Sequence, residues 1–495
     1  MKNSSSHIII EQERVYVLLT ETGNDKMSCN ERRSAGRLLK VTAVVWMVLY
    51  FLNLLLPDGL AFRVFDPYVD ELYSRLACGN HIWLVILKWM SDSAFVFLPL
   101  AVFTDRKTFA RIVSLFVLPV AIICLLCTNS FMAVIFDQLS DGTYIGAGLR
   151  LLRFFDEEAA AVFLDRGLRT GYYVVMYLLE IGVSVGVLLS SRKGLRFENR
   201  KSVCKFFEVL VFFVAISMPV YAPMYIGRGY GDSDSFWAFK AFSPAQLAWV
   251  IATVILGVAI YQALKRHSRE EKYIVMVGIT LAMFYQFNGL LTFFGELVAH
   301  RFPLQLCNIA AVIYLITLLT KNRAFSRFMV ITNVLGAILA YVFCDSSSYG
   351  MTYIMNVHYI AQHTWVVLVP ILCQALGIFE PLERRDIKSL FTGYNVYYFF
   401  IFIVGGIFTG LLELTGNDFW SCNYLYMFDK EASSNLLPFI APLFDCKITL
   451  FGFFPITLVE PVVYLVFLGL SVAAFYLVYL LSKRKKSGRP KTALP

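Results

Sequence analysis

Twelve stretches of this chain, most of them holding 17–25 apolar residues, carry almost no charge, and they decide the solvent in which the protein folds. They lie near 38–56, 81–103, 109–136, 171–190, 205–225, 246–264, 273–299, 303–320, 327–344, 353–377, 396–412 and 453–482. A helix rises about 1.5 Å per residue, so most of these stretches match a hydrocarbon core about 30 Å thick. A backbone exposed to lipid must satisfy its own hydrogen bonds, which makes helices the expected form. Composition agrees: 58% of the 495 residues are hydrophobic and 16% charged, more apolar surface than a soluble fold hides. The expected fold class is all-α, a polytopic membrane bundle of about 12 transmembrane helices.

Charge orders the segments. The chain carries a net +9, but its basic residues form short clusters between apolar runs. They do not build a groove interleaved with aromatics, so nucleic acid is not an expected partner. The positive-inside rule explains them better. With the N-terminus inside, Arg32-Arg33-Arg37, Arg106-Lys107, Arg192-Lys193 with Arg200-Lys201, Lys265-Arg266, Lys321-Arg323, Arg384-Arg385-Lys388 and Lys483-Arg484-Lys485-Lys486 all fall on the inner side. Of the 44 Lys and Arg, 32 lie on that side and 11 on the other, with Lys88 inside a span. A miscounted span would break this alternation, so both termini are expected in the cytoplasm of a multi-pass protein of the cell membrane. Residues 1–37 lack the early apolar run of a signal peptide and read as a cytoplasmic tail. Residues 38–266 then form a six-helix first half, 273–482 a six-helix second half and 483–495 a basic cytoplasmic tail. Between the third and fourth segments, Leu151, Leu152, Phe154 and Phe155 beside Arg150 and Arg153 read as an amphipathic surface helix.

The halves invite comparison. At an offset of 216 residues, Thr104, Phe109 and Arg111 fall on Thr320, Phe325 and Arg327, and 246–264 falls on 462–480. A parallel six-plus-six duplication is one reading. Recurrence of a common span, basic turn and span is the other.

Ionisable groups inside spans are expensive and mark candidate sites. Lys88 and Asp92 stand four apart on one helix face, where they can neutralise each other. Glu180 lies mid-span with no local partner in the sequence. The second half is denser. Glu296 and His300 close one span at its outer end, and Gln305, Cys307 and Asn308 open the next, with Pro303 in its first turn. The tenth segment also enters from outside and carries Asn356, His358, Tyr359, Gln362 and His363. Asn356, Tyr359 and His363 share a stripe, whereas His358 and His363 are about 140° apart around the helix. Asn423 and Tyr424 lie in the last outer loop, and Glu460 opens the twelfth segment. All these groups gather at similar depth near the outer interface, together with three of the six histidines.

A cysteine and a histidine are the minimal pair for acyl transfer, since imidazole can take the thiol proton and return it to the leaving group. The blander reading makes Cys307 a packing residue and the histidines hydrogen-bonded ties between helices. No HExxH motif or i, i+4 histidine pair supports a metal site. Cys124 and Cys127 sit inside an apolar run as small packing residues. Cys422 and Cys446 share the outer loop 413–452, as a disulfide or as two thiols.

Pro303-Leu304-Gln305-Leu306-Cys307, His363, Asn423-Tyr424-Leu425-Tyr426-Met427, Pro455 and Glu460 stand out together in the stretch 273–482. On these residues that stretch resembles the YwaF-type integral membrane proteins of bacteria, which are related to the eukaryotic transmembrane-protein-164 family. The eukaryotic relatives look like acyltransferases acting on phospholipids. The resemblance therefore implies Cys307 as nucleophile and His363 as base, with membrane lipids as partners, a phospholipid as substrate and no cofactor. Gln362 stands where the family usually has glycine before that histidine, and an upstream Pro-His is missing. Supporting roles fall to Gln305, Asn308, Asn356, His358, Tyr359, Asn423, Tyr424, Glu460, Glu296 and His300. The resulting expectation is a lipid acyltransferase or acyl hydrolase working at the outer leaflet. A multi-pass transporter or lipid carrier and a noncatalytic membrane scaffold are the alternatives. At the offset of 216, Cys307 falls on Ser91 and His363 on Ala147, so the first half does not carry the same pair.

Overall fold

The computed structural model describes residues 29–54, 82–104, 106–132, 166–191, 200–218, 238–293, 299, 302, 304–342, 351, 354–436 and 438–487. Helices dominate, and one overlaps each of the twelve apolar stretches: α1 Cys29–Leu54, α2 Ile82–Phe103, α3 Lys107–Leu126, α4 Arg166–Ser190, α5 Arg200–Ile216, α6 Pro244–Leu264, α7 Arg269–Phe293, α8 Leu306–Thr320, α9 Arg323–Val342, α10 Ile354–Ala375, α11 Asp386–Thr415 and α12 Val459–Ser487. Among the described residues eight of these are long and apolar enough to cross a membrane, and α8 is a shorter apolar helix. The protein is a multi-pass helical membrane protein. The amphipathic stretch around Leu151–Phe155 and the candidates Glu296 and His300 lie outside the described residues.

Helix ends follow local chemistry. Ser243 caps α6 by accepting from Gln246 N at 3.2 Å, with Pro244 in the first turn. Ser268 and Glu271 form a reciprocal capping box on α7: Ser268 N donates to Glu271 Oε2 at 3.0 Å and Glu271 N to Ser268 Oγ at 3.3 Å. Lys321 ends α8 in a left-handed conformation (φ 54°).

Two findings differ from the all-α expectation. Residues 453–458 do not begin the last helix. Ile448–Leu450 and Phe454–Ile456 pair instead as an antiparallel hairpin, β1 and β2, which turns through Phe451 and Gly452 at positive φ. Pro455 lacks a donor and lies on the hairpin, where that lack is tolerated. The hairpin presses on α11 so closely that a Cβ on Gly410 would stand 1.9 Å from Phe453 O. The second difference is a π-helical turn, Met329–Asn333, within α9.

The halves form one packed body. A continuous buried core runs from Trp46 and Tyr50 on α1 to Val459 on α12. The contact across the halves is polar at its centre. Lys88 Nζ lies 3.1 Å from Asp92 Oδ1, closing the pair that the spacing predicts. Asp92 is fully buried and accepts from Tyr50 of α1 and Tyr285 of α7. The first half is thereby stitched to the second through one carboxylate. The bounds of α3 and α9 coincide at the 216-residue offset, and α3 packs on α4 as α9 packs on α11.

Candidate functional site

Two helices deliver the predicted nucleophile and base. Cys307 is the second residue of α8, and His363 lies in the upper half of α10. Gln305 stands at the N-cap position, and its carbonyl receives the N–H groups of Asn308 and Ile309, both at 2.9 Å. Cys307 thus sits in the first turn, where unpaired backbone N–H groups favour negative charge.

α8 and α10 are locked at this depth by Gln362, whose Nε2 donates to the carbonyl of Cys307 at 2.6 Å. Two turns deeper, Tyr314 OH donates to Val366 O at 2.9 Å. From the other side, Asn333 Nδ2 donates to Leu306 O at 3.0 Å. Asn333 belongs to the π-helical turn and is wholly buried, and its Oδ1 has no hydrogen-bond partner among the described residues. The widened turn carries the amide that reaches the first turn of α8, and π-turns of this kind are frequent at functional sites.

His363 is buried, and its ring lies against Tyr359 with centroids 4.1 Å apart. Its Nδ1 is 2.8 Å from Tyr359 O. A carbonyl only accepts, so Nδ1 carries the proton and Nε2 keeps its lone pair in the neutral ring. Tyr359 is fixed in turn by its OH, which donates to Ala340 O at 2.7 Å. His358 is within electrostatic reach of His363, and Asn356 is buried on the same helix.

The thiol and the imidazole come from packed helices but share no hydrogen bond. Cys307 Sγ is directed to Asn308 Oδ1 at 3.6 Å. Adjacent turns are therefore in register, and the proton-transfer contact is not closed.

The remaining predicted residues divide by role. Gln305 clamps the last outer loop, donating to Asn423 O at 2.7 Å and accepting from Leu425 N at 3.1 Å. Asn423 Oδ1 organises that loop by accepting from Phe428 N, Asp429 N and Ser433 Oγ at 3.1–3.3 Å. Leu425 and Tyr426 take positive φ there. Tyr424 is buried and bonds Ala299 O, while Tyr397 OH reaches Leu304 O at 3.1 Å. The loop is a cover strapped over the start of α8. Glu460 caps α12: its Oε2 accepts from Thr457 N at 2.8 Å and Thr457 Oγ1 at 2.6 Å. Cys422 and Cys446 are free thiols. Among the described residues no group of three ligating side chains could hold a metal ion.

Sequence reasoning passed over the support that α6 supplies. Trp249 stacks on Tyr341 at 4.1 Å, and its Nε1 donates to Thr364 Oγ1 at 2.8 Å, beside His363. Gln362 is among the polar groups of the tenth segment but has no role in the expected site, and Asn333 is not among the expected residues; amide side chains in the middle of apolar spans are themselves a signal.

Residues 241–484 match the model of the TMEM164 family. The match covers just under half of the chain and contains Cys307, His363, the clamped loop and Glu460. It begins ahead of α6, whose Trp249 donates to Thr364 of α10. No curated protein and no solved structure matches the chain.

Proposed function

We propose that the TMEM164-like half is a lipid acyl-transfer centre with Cys307 as nucleophile and His363 as general base. The observation that carries this reading is the Gln362–Cys307 bond, which fixes the turn bearing the imidazole beside the turn bearing the thiol. His363 Nε2 takes the thiol proton, and the sulfur attacks the ester carbonyl of a phospholipid. Collapse of the tetrahedral adduct breaks the ester C–O bond. The leaving alkoxide receives the proton from His363 and departs as a lysolipid, leaving a thioester on Cys307. A second lipid hydroxyl, or water, then gives its proton to His363 and attacks the thioester, restoring the thiol. N–H groups of the first turn of α8 favour the charge that builds on sulfur and on the carbonyl oxygen. The absence of a hydrogen bond between Cys307 and His363 is compatible with this, because catalytic contacts commonly tighten only on substrate binding. In the positive-inside orientation the centre faces the outer leaflet.

A carrier reading draws on Asp92, which joins the halves. Its charge is already met by Lys88 and two tyrosines, which suits a strut better than a substrate path.

The test is a purified-protein assay with a labelled phospholipid in vesicles. Wild-type protein should form a thioester on Cys307, seen by intact mass and removed by hydroxylamine. C307S and H363A should lose turnover while retaining their melting temperature. A stable C307S variant with full turnover sinks the proposal.

A further inference from the structure

At the basic end of the second half, about 21 Å along α8 from Cys307 at 1.5 Å per residue, the helices enclose a second site. Arg269, Glu270 and Tyr273 of α7, Lys321 at the end of α8, and Arg323 and Arg327 of α9 line a cleft of about 630 Å³. That volume is in the range of small-molecule sites.

The cleft has a sorted lining. Leu318, Ile378 and Phe379 are buried and make an apolar floor. Arginine and lysine stand around the mouth, and their partners differ. Arg323 is tied to Asp386 at 2.5 Å, Glu380 at 3.3 Å and Glu383 at 3.4 Å. Arg327, 1% exposed, meets Asp386 at 3.0 Å and the carbonyls of Glu380 and Pro381. Glu270 is taken by Arg106 at 2.8 Å. Arg269 and Lys321 have no carboxylate partner among the described residues. Arg269 rests on Ile378 O at 3.1 Å, and Lys321 lies 5.8 Å over the Tyr273 ring. Lys321 is held there by a left-handed backbone that a non-glycine residue seldom adopts. Two exposed cations with no counter-ion thus face one apolar-floored cleft. Ile316 and Leu319, beside it on α8, are exposed as expected of a lipid-facing surface.

We propose that this cleft binds the phosphate of an anionic phospholipid in the leaflet opposite the Cys307 centre, with Arg269 and Lys321 as its ligands. The shared chemistry is a phosphate anion. The apolar floor and the lipid-facing flank favour a lipid over a free anion, because a glycerol backbone and the first methylenes find apolar contact there. In the positive-inside orientation this is the cytoplasmic leaflet, which is rich in anionic lipid. The site does not depend on chemistry at Cys307.

The experiment uses delipidated full-length protein in detergent, with lipid binding read by native mass spectrometry and by melting temperature. Phosphatidylglycerol, phosphatidylcholine and inorganic phosphate are the three arms. Wild-type protein should retain and be stabilised by phosphatidylglycerol well above phosphatidylcholine, with inorganic phosphate giving little. R269Q and K321Q should each weaken the phosphatidylglycerol effect about fivefold. Equal effects of the two lipids, or equal stabilisation by inorganic phosphate, overturn the assignment from the wild type alone. Folded R269Q and K321Q variants that bind as wild type also overturn it.

Discussion

Replacing Gln362 with leucine tests whether the α8–α10 lock serves chemistry or only stability. The side chain contributes one interhelical hydrogen bond, Nε2 to Cys307 O at 2.6 Å. Cys307 lies inside α8, so its carbonyl keeps the helical bond from Ala311 N and is not orphaned when Gln362 is lost. The stability cost is then that of one net hydrogen bond, about 1 kcal/mol. An energy of that size spent wholly on the reaction accounts for about a fivefold loss of rate. If the bond sets His363 against Cys307, release lets the imidazole drift, and a displacement of about 1 Å costs about 100-fold. Tyr314→Phe is the matched control, because it removes a bond between the same helices two turns deeper, from Tyr314 OH to Val366 O. Both variants should melt slightly below wild type, with Q362L alone losing turnover by well over tenfold in the vesicle assay. Equal activities in two equally stable variants would refute the alignment argument and leave Gln362 a plain packing tie.

Three further outcomes follow from buried or capped groups. Asp386→Asn leaves Arg327 buried without its carboxylate and should cost about 3–5 kcal/mol, read as a fall in melting temperature, with partial recovery in D386N/R327M; an unchanged melt would show that the pair is not coupled to the fold. Ser268→Ala removes the α7 capping box and should cost about 1 kcal/mol. Burial works against the Glu271 carboxylate, but its hydrogen bonds from Ser268 and His267 prevail and hold its pKa below the ordinary value. Stability from this box is therefore present at neutral pH and fades as pH falls through the carboxylate range, so the S268A deficit should shrink on acidification, and a deficit that grows contradicts the assignment. Glu180→Gln should melt at or above wild type, because both carboxylate oxygens are buried and neither closes a hydrogen bond among the described residues, although the Trp46 indole is near; a drop of several degrees would reveal a partner.

The sequence makes the helices legible and hides the site geometry, for one physical reason. Lipid imposes length and apolarity on each segment separately, so a window of about 20 residues carries its own signal. Contacts between segments depend on helix rotation and depth, which no window contains. The tenth segment shows the difference. Tyr359 and His363, four apart on one helix, lie ring against ring at a tilt of 41°, as neighbours one turn apart can. That the neighbouring Gln362, and not His363, reaches Cys307 depends on how α8 and α10 are rotated against each other.

Glu460 teaches a separate lesson about polar groups near an interface. Thr457-Leu458-Val459-Glu460 is a capping-box pattern, and its carboxylate is occupied by Thr457 N and Oγ1. Read with Thr457 three residues back, the acid marks a helix start; read by its depth in the membrane alone, it looks like a site residue. Gln362 and Asn333 lack such a nearby claimant: each spends its amide on a carbonyl of another helix, and both reach the first turn of α8. An intramembrane polar residue with a ready-made local partner therefore argues for a helix end. One whose own helix offers nothing argues for a long-range contact, and the convergence of two such residues on the turn that holds Cys307 is what singles out that turn.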